Sequence, residues 1–226
     1  MRHLMARRAR PGAGRMRAIL AARRFRAAQG GIAAVEFAIV LPILLTILVG
    51  LSEYAHAIDT WRKLTLLART VSDMTAQGDT QNPISTTLVS DILASSTAVM
   101  RPLDASTVKI VVSAMGVTLT GATLIPKVCS SVANANAVKR TVGLPNDLTV
   151  PAGFQTAGMR YVLTEVSMAY RPMIGSALVK IFGSTAGTVT LKASFPWPTR
   201  GGAKVAPNIY TEVILPDPDA KNAKPC

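Results

Sequence analysis

The chain has 226 residues, 49% of them apolar, with 25 Lys+Arg against 12 Asp+Glu and a formal net charge of +13. Such a chain can bury a real core and is no disordered tail. Two Cys and two His are too few for multi-Cys zinc modules or iron–sulfur binding.

The charge is not spread as in a nucleic-acid binder. Nine arginines (Arg2, Arg7, Arg8, Arg10, Arg15, Arg17, Arg23, Arg24, Arg26) and no acid lie in residues 1–30. Residues 31–226 then carry 16 basic and 12 acidic residues, a net of +4. Only Phe25 offers an aromatic within that arm, and membrane topology accounts for its charge without nucleic acid.

Next comes an apolar block. Residues 32–51 contain one charge, Glu36, and one proline, Pro42. A helix of that length rises about 30 Å, the thickness of a bilayer hydrocarbon core. No polar face interrupts it, as a soluble core helix would require. The block therefore predicts a transmembrane segment. With the arginines on one side and Glu53 and Asp59 opening the other, the positive-inside rule puts the N-terminus in the cytoplasm. Tyr54 fits the interfacial aromatic belt. Pro42 removes the hydrogen bond to the Ala38 carbonyl and predicts a modest kink.

Three fates are open to this segment: a permanent anchor, a cleaved secretory signal, or a prepilin-type leader followed by a retained helix. Ala55-His56-Ala57 is an A-x-A pattern and Arg23-Arg24-Phe25 faintly resembles a twin-arginine signal. Against cleavage there stand the length of the block, the charge at Glu36 and a helical pattern that continues past Ala57. Glu36 is the informative residue, because a carboxylate at the centre of such a span costs up to ~2.5–3.5 kcal/mol and usually has a partner. Near the membrane edge it can instead snorkel to the headgroups.

Glu36 is the fifth residue counted from Ile32, which follows Gly31. In this the chain resembles the type IV pilin superfamily. More narrowly, Ala-Val-Glu-Phe-Ala-Ile-Val-Leu-Pro-Ile-Leu-Leu (34–45), with Gly50, Glu53 and Tyr54, looks like the TadE/TadG-like pseudopilins of tight-adherence pilus systems. The likeness is specific over about 31–77, including Arg62-Lys63-Leu64-Thr65-Leu66-Leu67-Ala68-Arg69-Thr70-Val71-Ser72-Asp73. It is looser at Tyr170-Arg171-Pro172-Met173-Ile174-Gly175 and Cys226. The resemblance implies that a prepilin peptidase cuts between Gly31 and Ile32. The new α-amino group would then neutralise Glu36 of a neighbouring subunit and set filament register. Because Gly30 adjoins Gly31, the cut could fall one residue earlier, with Glu36 at position six. A mature chain of 195 residues is far longer than the major pilins of these systems and reads as a minor subunit.

Beyond the membrane Ile58, Trp61, Leu64, Ala68, Val71 and Thr75 keep helical spacing, and Gly78-Asp79 is a stop signal, predicting a helix over about 32–77. Asn82-Pro83 breaks the chain. Ser85 then caps a helix to about Met100, with Leu88, Ile92, Ser96 and Val99 on one face. The period changes to two at Val108, Ile110 and Val112, and Val117-Thr118-Leu119-Thr120 completes a hairpin signal with Gly116 at the turn. A short helix is predicted over 131–140, weakened by Asn134 and Asn136, and a loop over 143–158. Strands follow over 159–170 and 188–195, and a last one over 209–215. The apolar stretch 172–183 is too short to span a membrane and reads as a buried helix between strands, or else as a surface for lipid or a neighbouring subunit.

The fold class expected is α+β, a long N-terminal helix on a small antiparallel sheet. The expected divisions are a basic cytoplasmic leader (1–31), a transmembrane segment (32–51), its extracytoplasmic continuation (52–80) and a periplasmic or extracellular α+β domain (81–226). Cys129 and Cys226 both fall on the extracytoplasmic side, where an oxidising compartment allows a disulfide. No G-x-S-x-G, P-loop or H-E-x-x-H pattern is present, and His3 and His56 are poorly placed to join a cysteine. The reading is of a chain with no catalytic residue, cofactor, metal or small-molecule substrate. Its expected role is a minor pilin or pseudopilin that helps assemble, initiate or cap a tight-adherence pilus. Its partners are then other pilin subunits, the prepilin peptidase and the inner membrane. The alternative is a permanently anchored periplasmic interaction domain that never enters a filament.

Overall fold

A computed structural model describes residues 30–79, 83–173, 187–204, 210–216 and 226. The chain divides into two compact units, one ending at Leu51 and one spanning Ser52–Cys226. The basic arm and most of the 172–183 stretch lie outside the described residues. Helix α1 (Gly30–Ala76) is a single element that continues through Pro42. Thr46 Oγ1 donates to the Pro42 carbonyl at 2.7 Å. The helix ends where expected, with the Gly78 N–H bonded to the Thr75 carbonyl and Gly78 at φ +69°, a conformation that favours glycine.

In the second unit α1 supplies Thr60, Leu64, Leu67, Ala68, Val71, Ser72, Thr75 and Ala76 to the interior. This stripe differs from the expected one at Trp61, which is 49% exposed and donates Nε1–H to the Lys192 carbonyl at 3.2 Å. The indole stays outside the buried stripe and reaches the backbone at Lys192. Helix α2 (Thr86–Ala94) starts at Ser85, whose hydroxyl accepts the Leu88 N–H at 3.2 Å. A short α3 (Ser96–Val99) follows after a break at Ser95, whose hydroxyl donates to the Ile92 carbonyl. The buried face is Val89, Ile92, Ser96 and Met100, one position away from the expected Leu88 and Val99.

Four antiparallel strands form the sheet: β1 (Lys109–Thr120), β2 (Thr123–Ala133), β3 (Arg160–Tyr170) and β4 (Val189–Pro198), in the order β2-β1-β3-β4. The chain is therefore α+β, as its periodicity predicts. The hairpin turn is not at Gly116 but at Gly121, with φ +61°. Gly116 lies inside β1, where a Cβ would meet Arg160 Nη1 at 2.8 Å and Cys129 Sγ at 3.2 Å. Its lack of a side chain serves close packing rather than a turn.

The predicted helix over 131–140 is absent too. β2 runs to Ala133, and Asn134 then holds the start of β1, accepting the Ile110 N–H at 3.0 Å and donating to the Val108 carbonyl at 2.7 Å. An asparagine that bonds a neighbouring strand competes with helix formation. The final strand shrinks to β6 (Thr211–Glu212), paired with an unanticipated β5 (Ala203–Lys204). β4 extends through Pro196 and Pro198, which an edge strand tolerates.

Along β1 and β3 side chains alternate between the two faces of the sheet. Ile110, Val112, Ala114, Val162 and Val166 pack with α1, α2 and the C-terminal Val213 and Leu215 in the main core. Each fully buried aliphatic side chain contributes about 1.5–3 kcal/mol. Met115, Val117, Val128, Tyr161 and Leu163 form a second cluster on the other face, under Phe154. Two polar groups cross the main seam without being orphaned: the Ser72 hydroxyl donates to Thr164 Oγ1 at 2.8 Å or to the Phe195 carbonyl at 2.9 Å.

Candidate functional site

The N-terminal part of α1 presents its apolar residues outward. From Gly31 to Ser52 every residue except Val49 is exposed, including Val35, Phe37, Ile39, Ile43 and Leu48. A continuous apolar cylinder of this kind is unfavourable in water and calls for lipid or apolar helices around it. Among the described residues this is the one helix long and apolar enough to cross a membrane, its apolar 18-residue stretch having a mean hydropathy of 2.7. Glu36 is its only charged residue up to Ser52. Ile32 and Glu36 are four apart and share one helix face, one turn removed from each other. Gly31 lies in open space, with nothing within 4 Å of where a Cβ would be.

In the sequence Glu53 marks only the topology of the apolar block. In the second unit it does more: its Oε2 accepts the Tyr170 hydroxyl at 3.3 Å and the Met173 N–H at 3.2 Å, tying α1 to the end of β3. Burial first, and then the Glu53 charge, push the Tyr170 phenol above its usual range. The sequence signal for this tie was the pair of flanks already singled out, Glu53-Tyr54 and Tyr170-Arg171-Pro172, but nothing local linked one to the other.

The two cysteines meet at the far end of the sheet. Cys129 and Cys226 form a disulfide with Cα atoms 5.1 Å apart, closing a loop with a sequence separation of 97. A β-bulge prepares this junction. Ala114 pairs with Ser130 and Met115 with Val128, so Cys129 is the extra residue on β2. Two consecutive residues thereby reach the C-terminal segment: Cys129 bonds Cys226, and the Ser130 hydroxyl accepts the Leu215 N–H at 3.0 Å.

Beside the disulfide lies a buried ion pair that the sequence did not suggest. Glu212 is 1% exposed; its Oε2 accepts Arg160 Nε–H at 2.7 Å and its Oε1 accepts the Cys226 N–H at 2.8 Å. Cys129, Cys226 and Glu212 are close enough together to resemble a metal-ligand group. The donor set does not fit one: both sulfurs are bonded to each other, and both Glu212 oxygens are taken by N–H donors. The cluster is a latch for the C-terminal segment.

A long apolar helix with one embedded carboxylate, long enough to cross a membrane, leads into a helix-backed antiparallel sheet of the α+β class. Residues 31–73 match the family model described as TadE-like protein, which spans the apolar block, Glu36 and the first buried turns of the second unit. No curated protein and no solved structure matches the chain.

Proposed function

We propose that this chain is a minor pilin or pseudopilin associated with a tight-adherence pilus, made as a membrane precursor and matured by a prepilin peptidase. The observation that carries this reading is the first turn of α1. Gly31, Ile32 and Glu36 stand together on an exposed apolar helix, inside the segment that matches the TadE-like family. In this reading residues 1–31 are a cytoplasmic leader and 32–51 span the inner membrane. Residues 52–80 continue the helix outside, and 81–226 form the periplasmic or extracellular domain. Cleavage after Gly31 frees an α-amino group on Ile32, and in a bundle of such helices that cation can neutralise Glu36 of a neighbour. The pair makes a buried carboxylate tolerable and fixes how far one subunit sits above the next. The folded unit then docks or caps, in contact with other pilin subunits.

The test is the mature N-terminus, read by mass spectrometry in cells with and without prepilin peptidase. Ile32 as first residue, lost when the peptidase is deleted, supports the proposal. An intact Met1 in both strains overturns it in favour of a permanently anchored domain. Because a Cβ on Gly31 would meet nothing within 4 Å among the described residues, Gly31→Trp should leave folding and insertion intact while blocking cleavage at the peptidase. Normal maturation of that variant at Ile32 would contradict the assigned site.

A further inference from the structure

The face of the sheet turned away from α1 is only partly covered. Beyond the Phe154–Tyr161 cluster it opens into a groove of about 520 Å³ on β1, β3 and β4, walled by Asn136, Ala137, Val138 and Arg140. That volume falls within the ordinary range of ligand sites. The strand register builds its floor. Lys109 pairs with Ser167 and Ser167 with Lys192, so these three residues stand abreast on adjacent strands. Val111, Glu165 and Ser194 form the next row on the same face. Two inter-strand spacings separate the lysines, about 10 Å between their backbones.

The groove's own acid is already engaged. Arg140 donates from Nη2 to Glu165 Oε1 at 2.7 Å and from Nε to Glu165 Oε2, and it holds Asp147 through bonds of 3.0 and 2.9 Å. Asn136 spends its amide on the Ser106 and Val108 carbonyls. By contrast, the ammonium groups of Lys109 and Lys192 and the hydroxyls of Ser167 and Ser194 have no partner among the described residues. The charged capacity left open is therefore all donor, and an occupant must bring anionic acceptors. Among the described residues no aromatic side chain lines the groove, and none there offers a platform for a sugar ring or a base. Apolar contact comes instead from Val111 and from Val138, which is 87% exposed.

We infer that this groove binds an acidic peptide segment of a partner protein, two of its carboxylates reaching Lys109 and Lys192 and an intervening apolar side chain resting against Val138. The inference concerns the folded unit alone and holds whether or not the chain enters a filament. An extended peptide places alternate side chains about 7 Å apart, a spacing that two flexible lysines 10 Å apart can clasp.

The test uses the full chain in detergent micelles and a fluorescent peptide of alternating Glu and Val, carrying a photo-crosslinker, at low salt. The Glu peptide should bind at least about tenfold tighter than its Gln counterpart and cross-link to 136–140, 165–167 or 192–194. Lys109→Gln/Lys192→Gln should weaken binding about tenfold, whereas Lys204→Gln, an exposed lysine outside the groove, should not. Ser167→Leu, which fills the floor without changing charge, should weaken it too. Equal loss with Lys204→Gln, or cross-links confined to the arginines of residues 2–26, would show general charge attraction and overturn the proposal. So would inorganic phosphate or an oligouronate competing as well as the unlabelled peptide.

Discussion

Glu36 and Glu212 are two carboxylates with opposite surroundings, and each is open to a decisive substitution. Glu36 is exposed on an apolar helix, so Glu36→Gln removes a charge that is costly in a bilayer and should ease insertion. Under the register role, the variant is cleaved and stays in the membrane but co-purifies poorly with other pilins. The unpaired α-amino group, near pKa ~7.7–8.0 in reference peptides, is then left charged among apolar helices. Unchanged piliation and unchanged co-purification of the variant would defeat that role. Glu212, in contrast, is sealed against Arg160. Glu212→Ala strands a buried guanidinium and should cost about 3–5 kcal/mol, measured by chemical denaturation in micelles. Arg160→Met/Glu212→Met removes both charges and should recover most of that loss. A double variant as unstable as Glu212→Ala would mean that the Cys226 N–H bond, rather than the charge pair, dominates.

At the scale of elements, the sheet is covered differently on its two sides, and pH separates them. Tyr161 packs against Phe154, ring centroids 4.7 Å apart, and burial pushes its phenol up to about 12. The unfolded chain releases this proton near pH 10 and the folded one only near 12, so stability is full below pH 10 and falls as pH rises toward 12. Tyr161→Phe keeps the ring and should flatten that alkaline loss, followed by denaturation midpoints between pH 9 and about 12. An unaltered alkaline limb would place the sensitivity elsewhere, Tyr170 being the next candidate.

These elements were legible in the sequence to different degrees. α1, Ser85 as a cap and β3 announced themselves through period and capping, because those signals are local. Gly116 misled, since a glycine can mark a turn or make room for another side chain, and the crowding side chain here is Arg160, 44 positions away. Asn134, the Glu53–Tyr170 tie and the Glu212 latch were invisible for the same reason: each depends on partners that only the folded topology brings near.

For the whole molecule, the disulfide and the latch fix a C-terminal segment whose buried apolar residues, among the described ones, are Val213, Ile214 and Leu215. Closing a loop with a sequence separation of 97 stabilises the fold by up to about 4.7 kcal/mol on the chain-entropy account. The bulge at Cys129 is what lets that bond coexist with the Ser130–Leu215 hydrogen bond.

That bond also decides how the protein carries tension. A chain pulled between the start of α1 and Cys226 transmits force across the sulfur bridge at Cys129, so the residues between the two cysteines are shielded from extension. About 97 residues at 3.3–3.6 Å each are withheld, roughly 320–350 Å of contour. Single-molecule stretching should therefore show an extensible length that grows by about this amount when a reductant is added; an identical length in both conditions would mean the bridge is not in the load path. Beyond α1 itself, a chain pulled in this way would yield the stretch between Ala76 and Cys129, and the rest of the sheet domain would ride along as a closed ring.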